Sequence, residues 1–145
     1  MSRSLALVTT ALVAVALAAQ VWAQPGQSSP VFQGYWMGVD PVDGGDARRS
    51  LVQQANGTFA LAARDTAFTL CDGTDRGFGS FEDGEVVGRT VLRSDTLTLE
   101  CFNNGASVVL HVRYELVDKG LMREVTTRTD GTPVSTIILH KLSEN

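Results

Sequence analysis

The chain has 145 residues, 43% of them hydrophobic, and a formal net charge of −4 at pH 7. Residues 1–23 hold one Arg and no acid, so about 122 residues carrying a charge near −5 remain without them. That balance excludes the basic footprint of an ordinary nucleic-acid binder and argues against electrostatic docking on an anionic membrane, and no later run is long and apolar enough for a spanning helix.

The N-terminus reads as a secretory signal peptide over residues 1–23. Arg3 supplies the positive start, and residues 5–19 are an unbroken apolar and Thr stretch. Val21-Trp22-Ala23 then places tolerated residues at −3 and −1, ahead of Gln24-Pro25. The expected location is secreted or periplasmic. Residues 24–33 are turn-rich and polar and read as a flexible lead-in. Residues 34–145 form the remaining domain.

The lead-in gives way to regular punctuation. Asn56-Gly57, Asp83-Gly84, Asn104-Gly105 and Asp130-Gly131 each stand between short apolar or β-branched runs. Such pairs fit type I′ hairpin turns. Asp118-Lys119-Gly120 and Ser94-Asp95 are further turn signals. No segment keeps a 3.6-residue apolar period over ten residues.

Between the turns the period is two. Phe59, Leu61 and Ala63 alternate with Thr58, Ala60 and Ala62, and Leu97, Leu99 and Cys101 alternate with Thr96, Thr98 and Glu100. The longest row is Val108, Leu110, Val112, Tyr114 and Leu116, set against Ser107, His111, Arg113 and Glu115. Residues 134–142 are apolar on both faces through Ile137, Ile138 and Leu139. A strand of that kind suggests burial on both sides, as at a homo-oligomer contact through the C-terminal strand. The whole reads as an all-β, antiparallel up-and-down meander of roughly eight to ten strands. Closing it into an eight-stranded barrel removes the exposed edges. A β-sandwich is the alternative.

Gly34-Tyr35-Trp36 opens the first predicted strand. This is similar to the Gly-x-Trp motif of lipocalins and avidins, the calycin group of ligand-binding barrels. The resemblance implies a Trp that closes one end of the barrel and a Gly that relieves crowding where the strand starts. Trp36 is the only Trp after residue 23, so the several tryptophans of an avidin biotin site are missing. Read without the resemblance, Trp36 is an ordinary core aromatic.

Cys71 and Cys101 are the two cysteines of the chain. Compartment and parity pair them in a disulfide. On the chain-entropy model a loop of this size is worth roughly 3–4 kcal/mol. Alternation faces Cys101 with Leu97 and Leu99 but sets Cys71 opposite Phe68 and Leu70, so one of the two belongs in a loop or bulge.

Chemistry-bearing residues are sparse. Asp40, Asp43 and Asp46 lie at three-residue spacing beside two glycines, which could wrap a hard cation but suits a solvated loop better, with Asp46 beside Arg48 or Arg49. Arg64-Asp65-Thr66 and the run from Cys71 to Gly77 are dense in Asp and Arg, a pattern of structural ion pairs. His111 and His140 have no third ligand at metal spacing. Gly77-Phe78-Gly79-Ser80-Phe81 is not a nucleophile elbow. Nothing in the pattern asks for an enzyme, a cofactor or a metal. The expected function is binding of a small apolar or amphipathic ligand inside the barrel. Its expected site is Trp36, Phe59, Leu61, Val108, Leu110, Val112 and Tyr114, with Tyr114 orienting the ligand's polar end. The alternative is an exported protein-binding module, such as a hydrolase inhibitor.

Overall fold

The computed structural model describes residues 30–67, 69–71 and 76–143. The signal peptide read over residues 1–23 and the lead-in up to residue 29 lie outside the described residues. Eight antiparallel strands follow in chain order: β1 (Gly34–Val39), β2 (Asp46–Gln53), β3 (Phe59–Asp65), β4 (Gly77–Val87), β5 (Val91–Cys101), β6 (Ser107–Asp118), β7 (Leu121–Arg128) and β8 (Pro133–Ser143). Each pairs with the next, and β1 pairs with β8, so the sheet closes into a barrel. No helix among the described residues is long and apolar enough to cross a membrane.

Alternation explains which face each strand buries. The inward row of β3 is Phe59, Leu61, Ala63 and Asp65, and that of β6 is Val108, Leu110, Val112, Tyr114 and Leu116. At the seam, β1 is registered on β8 with Met37 opposite His140 and Gly38 opposite Leu139. A Cβ on Gly38 would sit 2.2 Å from the Ile138 carbonyl oxygen, so only glycine lets these two backbones meet. Gly34 is equally confined: its Cβ would lie 2.4 Å from the Ser143 carbonyl oxygen. The glycine of the Gly-x-Trp tripeptide thus relieves crowding at the strand start.

Several turn assignments change. Asp83-Gly84 and Ser94-Asp95 are not turns; they lie inside β4 and β5. The register of β5 on β6 slips between Ser94 and Leu97. Ser94 and Thr96 donate their hydroxyls to the same Asp83 oxygen, each at 2.7 Å. Turn-forming residues here serve a bulge, where short polar side chains satisfy backbone that the ladder leaves unpaired. The β4–β5 reversal falls instead at residues 88–90. The Asn-Gly and Asp-Gly hairpins are also longer than two-residue type I′ turns. The Gly57 N–H donates to Gln54, and the Gly131 N–H to Arg128. The acid or amide before the glycine caps the next strand: Asn56 Oδ1 accepts from the Thr58 N–H, Asn104 Oδ1 from Ala106, and Asp130 Oδ1 from Thr132. This is the short Asx closure, followed by a glycine that takes the left-handed conformation.

The end of the segment read as a lead-in has structure of its own. Pro30–Phe32 form a 3-10 turn, and Phe32 is fully buried, edge-on to Phe59 with ring centroids 6.2 Å apart. Cys71 closes a second 3-10 turn, Thr69–Cys71, and is bonded to Cys101 on β5 with Cα atoms 5.4 Å apart. Cys71 therefore lies outside the strands, where the alternation that set it against Leu70 does not apply. Such a bond is more typical of proteins held outside the reducing cytosol.

Candidate functional site

The interior of an eight-stranded barrel is about wide enough to be filled by side chains or to hold one small ligand. Phe59, Leu61, Leu110, Val112 and Tyr114 are buried in one apolar cluster within it. Val108 and Leu116 are half-buried at the two ends of their row and pack against that cluster. The apolar walls also include Leu51, Phe81, Leu92, Met122, Ile137 and Leu139.

Trp36 is buried at the end of the barrel that the Pro30–Phe32 turn covers. Its indole N–H donates to the Phe32 carbonyl at 2.9 Å. Lys141, from β8, lies over the indole ring with its ammonium 5.4 Å from the centroid, and also reaches the Val31 carbonyl at 3.4 Å. First strand, last strand and N-terminal turn thus converge on one indole. An amphipathic ring with its single donor satisfied can serve as such a plug.

Deeper in, the apolar walls are interrupted by charge. Arg49 on β2 sends its guanidinium across the interior. Nε and Nη2 donate to the two Glu124 carboxylate oxygens at 2.6 and 2.7 Å, and Nη1 donates to Asp65 Oδ1 at 2.6 Å. All three residues are buried. One cation serving two anions leaves the group with an excess negative charge. Burial alone would weaken the guanidinium's hold on its proton, but Glu124 and then Asp65 outweigh it and keep Arg49 well above its ordinary range. Asp65 is pushed up to about 6, chiefly by burial, with Arg49 opposing and Glu124 and Asp40 adding repulsion.

Tyr114 stands opposite Glu124 in the β6–β7 register. Its hydroxyl is buried and makes no hydrogen bond among the described residues. Burial, then the nearby Glu124 carboxylate, raise its pKa far above the usual phenol value, so it stays a neutral donor. Leu116, the next inward position on β6, lines a hollow of about 690 Å³ at the rim, together with Val31, Thr90, Val117, Gly120 and Lys141. The hollow opens at the Trp36 end, which Lys141 also marks.

The other polar candidates are occupied structurally. Asp40 and Asp43 accept from the Val42 and Gly45 N–H groups, each at 2.8 Å, and Asp46 pairs with exposed Arg48 at 3.4 Å. His111 is half-buried, with Nδ1 4.0 Å from Asp95. Asp65 pairs with Arg49 rather than with its neighbour Arg64. Asp72 and Asp75 lie outside the described residues.

The charged trio escaped the sequence reading, yet its signal was present. Ala47, Arg49 and Leu51 share one parity, as do Ala63 and Asp65, and Met122 and Glu124. A charge that keeps apolar parity points at the core. No protein-family model matches the chain, and no curated protein matches it.

Proposed function

We propose that this chain is an exported small barrel that binds a small amphipathic ligand through its interior and Trp36-end rim, and that it is a binding protein rather than an enzyme. The observation that carries this reading is Tyr114: a neutral, fully buried hydroxyl that meets no well-formed hydrogen bond among the described residues and lies near the Glu124 carboxylate, part of a charged group that a purely structural core has little reason to contain. An unpaired buried hydroxyl costs roughly 1–3 kcal/mol. Apolar walls with a few convergent polar groups are the usual composition of a ligand pocket. The rim hollow is lined by Leu116, the inward position next to Tyr114 on β6. The Gly34-Tyr35-Trp36 start and the eight-strand closure support a calycin-like assignment. The signal-peptide pattern and the disulfide support export.

Titration with the neutral fluorophore N-phenyl-1-naphthylamine tests the reading. The wild type should bind it, Tyr114→Phe should bind it differently, and Val112→Trp should exclude it. If no probe binds, and Val112→Trp only destabilises the fold by the ~1–3 kcal/mol of overpacking, the interior is a solid core and the reading falls.

A second reading is favoured by the outer face of the seam. Ile138 and Leu142 on β8 are 44% and 64% exposed, beside exposed Tyr35 and Val39 on β1. These residues would suit contact with a protein partner or a second copy, as the two-faced apolar pattern of β8 suggested.

A further inference from the structure

The outer wall of the barrel carries a feature that the interior reading does not use. Arg48 on β2 and Arg64 on β3 are registered directly opposite one another, both on the solvent face. Like charges placed opposite across a strand pair repel. Arg48 has a single 3.4 Å contact to Asp46, both side chains being well exposed, and Arg64 has no ion pair among the described residues. In a chain of net negative charge, two adjacent guanidiniums that share one 3.4 Å contact to Asp46 among the described residues are a local reversal of sign.

The surroundings turn this pair into a trough. Ser50 and Ala62 are opposite each other one pleat along, so the floor beside the arginines is built of small side chains. Tyr35 is registered on Ser50 and forms one wall. Phe78 is registered on Arg64 and forms the other, half-buried. The groove these residues line holds about 450 Å³. Glu100 is the next residue of the row on β5, but Phe78 stands between it and Arg64.

We propose that this trough is a second binding site, on the outside of the barrel, for a small amphipathic anion: a carboxylate or sulfonate head held by Arg48 and Arg64, with an apolar body lying over Ser50 and Ala62 between Tyr35 and Phe78. Guanidinium forks match two-oxygen anionic heads geometrically, and an anion between the two arginines removes their repulsion. The ring walls supply apolar contact and the small floor supplies depth. The proposed contacts are all made by six outward-facing residues, while the inward-facing Trp36 and Arg49 border the groove from below.

The test uses two probes with one aromatic body. 8-Anilinonaphthalene-1-sulfonate carries the anionic head, and N-phenyl-1-naphthylamine lacks it. The sulfonate should bind the wild type at low salt, with Arg48→Gln and Arg64→Gln each raising its Kd on the order of tenfold, the loss expected for one charge-assisted contact. Phe78→Ala should weaken it as well. Binding of the neutral probe should not respond to either arginine. Because both arginines are exposed and repel, Arg64→Gln should melt no lower than wild type, which separates lost binding from lost fold. The proposal is overturned if sulfonate binding is absent or indifferent to both arginines. It is also overturned if oligoglutamate displaces the dye as well as octanoate does, since an acidic protein segment would then be the occupant. Failure of Tyr114→Phe to alter neutral-probe binding sinks the interior reading alone.

Discussion

Arg49 and Glu124 meet inside the barrel through two parallel hydrogen bonds of 2.6 and 2.7 Å, although 75 positions separate them in the chain. Neighbouring strands do not create this pair, because β2 and β7 touch only through the closed interior. The bidentate fork satisfies both carboxylate oxygens, while the third guanidinium nitrogen holds Asp65. Two buried anions therefore depend on one cation.

Removing that cation should be costly. Arg49→Met leaves Asp65 and Glu124 buried without a counter-charge and should lower stability by about 3–5 kcal/mol in urea unfolding. The triple change Arg49→Met, Asp65→Asn and Glu124→Gln removes every charge and should recover most of that loss. If the triple variant is no more stable than Arg49→Met, the trio is not the electrostatic unit described.

Acid should strengthen this fold before it weakens it. Asp65 binds its proton more tightly in the folded chain, near pH 6, than an ordinary aspartate near 3.8. Folding is thus penalised by this group above pH 6, and the penalty fades as pH falls from about 6 towards 4. A shift of that size corresponds to roughly 3 kcal/mol. Asp83 and Glu115 have lowered values, Asp83 through its Ser94 and Thr96 hydrogen bonds against its burial, and Glu115 through Arg123. Their stabilisation is lost only at more acidic pH. Melting temperature should therefore peak near pH 5 rather than pH 7, and Asp65→Asn should flatten the slope between pH 7 and 5. A wild-type profile already level across that window would contradict the assignment.

Cys71 and Cys101 close a loop that contains β4 and β5, and the pair should be fully oxidised in material from the native host. A thiol assay on unfolded, unreduced chain should read about zero. Replacing both with Ser should cost roughly 3–4 kcal/mol on the chain-entropy model. N-terminal sequencing of the same material should begin at Gln24, and a product that keeps Met1 would argue against export.

Closure of the barrel rests on Gly38. Gly38→Ala would drive a methyl into the Ile138 carbonyl and should destabilise by about 1–3 kcal/mol. Gly44→Ala, whose added carbon meets open space, should cost only its backbone strain, about 1 kcal/mol. Equal losses at the two sites would mean that β1 and β8 are not seated as described.

The inward row of β6 was legible because five alternate residues run unbroken from Val108 to Leu116, and nothing interrupts their parity. β5 was harder. Its inward residues are Leu92 and Ser94 and then Leu97, Leu99 and Cys101, so the parity changes in mid-strand. One extra residue at a bulge does this, and locally Ser94-Asp95 has the composition of a turn. Arg49, Asp65 and Glu124 each occupy inward positions that alternation marks, but their mutual contact exists only once the sheet has closed. The trough around Arg48 and Arg64 depends on the β2–β3 register, which no single strand reveals.

The seam between β1 and β8 also bears on how the chain finds its structure. Seven of the eight pairings join consecutive strands, and all but β3–β4 are local zipping steps with a short loop to close. The eighth joins Gly38 to Leu139, about a hundred residues apart, and the entropy of bringing such distant segments together is met only after the rest of the sheet has curled. Until that clasp engages, both terminal strands present raw edges to any other nascent chain, and the Arg49 fork has no distant carboxylate to grip. Seam and interior ion group are therefore expected to lock together late, so refolding speed should follow the clasp rather than the hairpins.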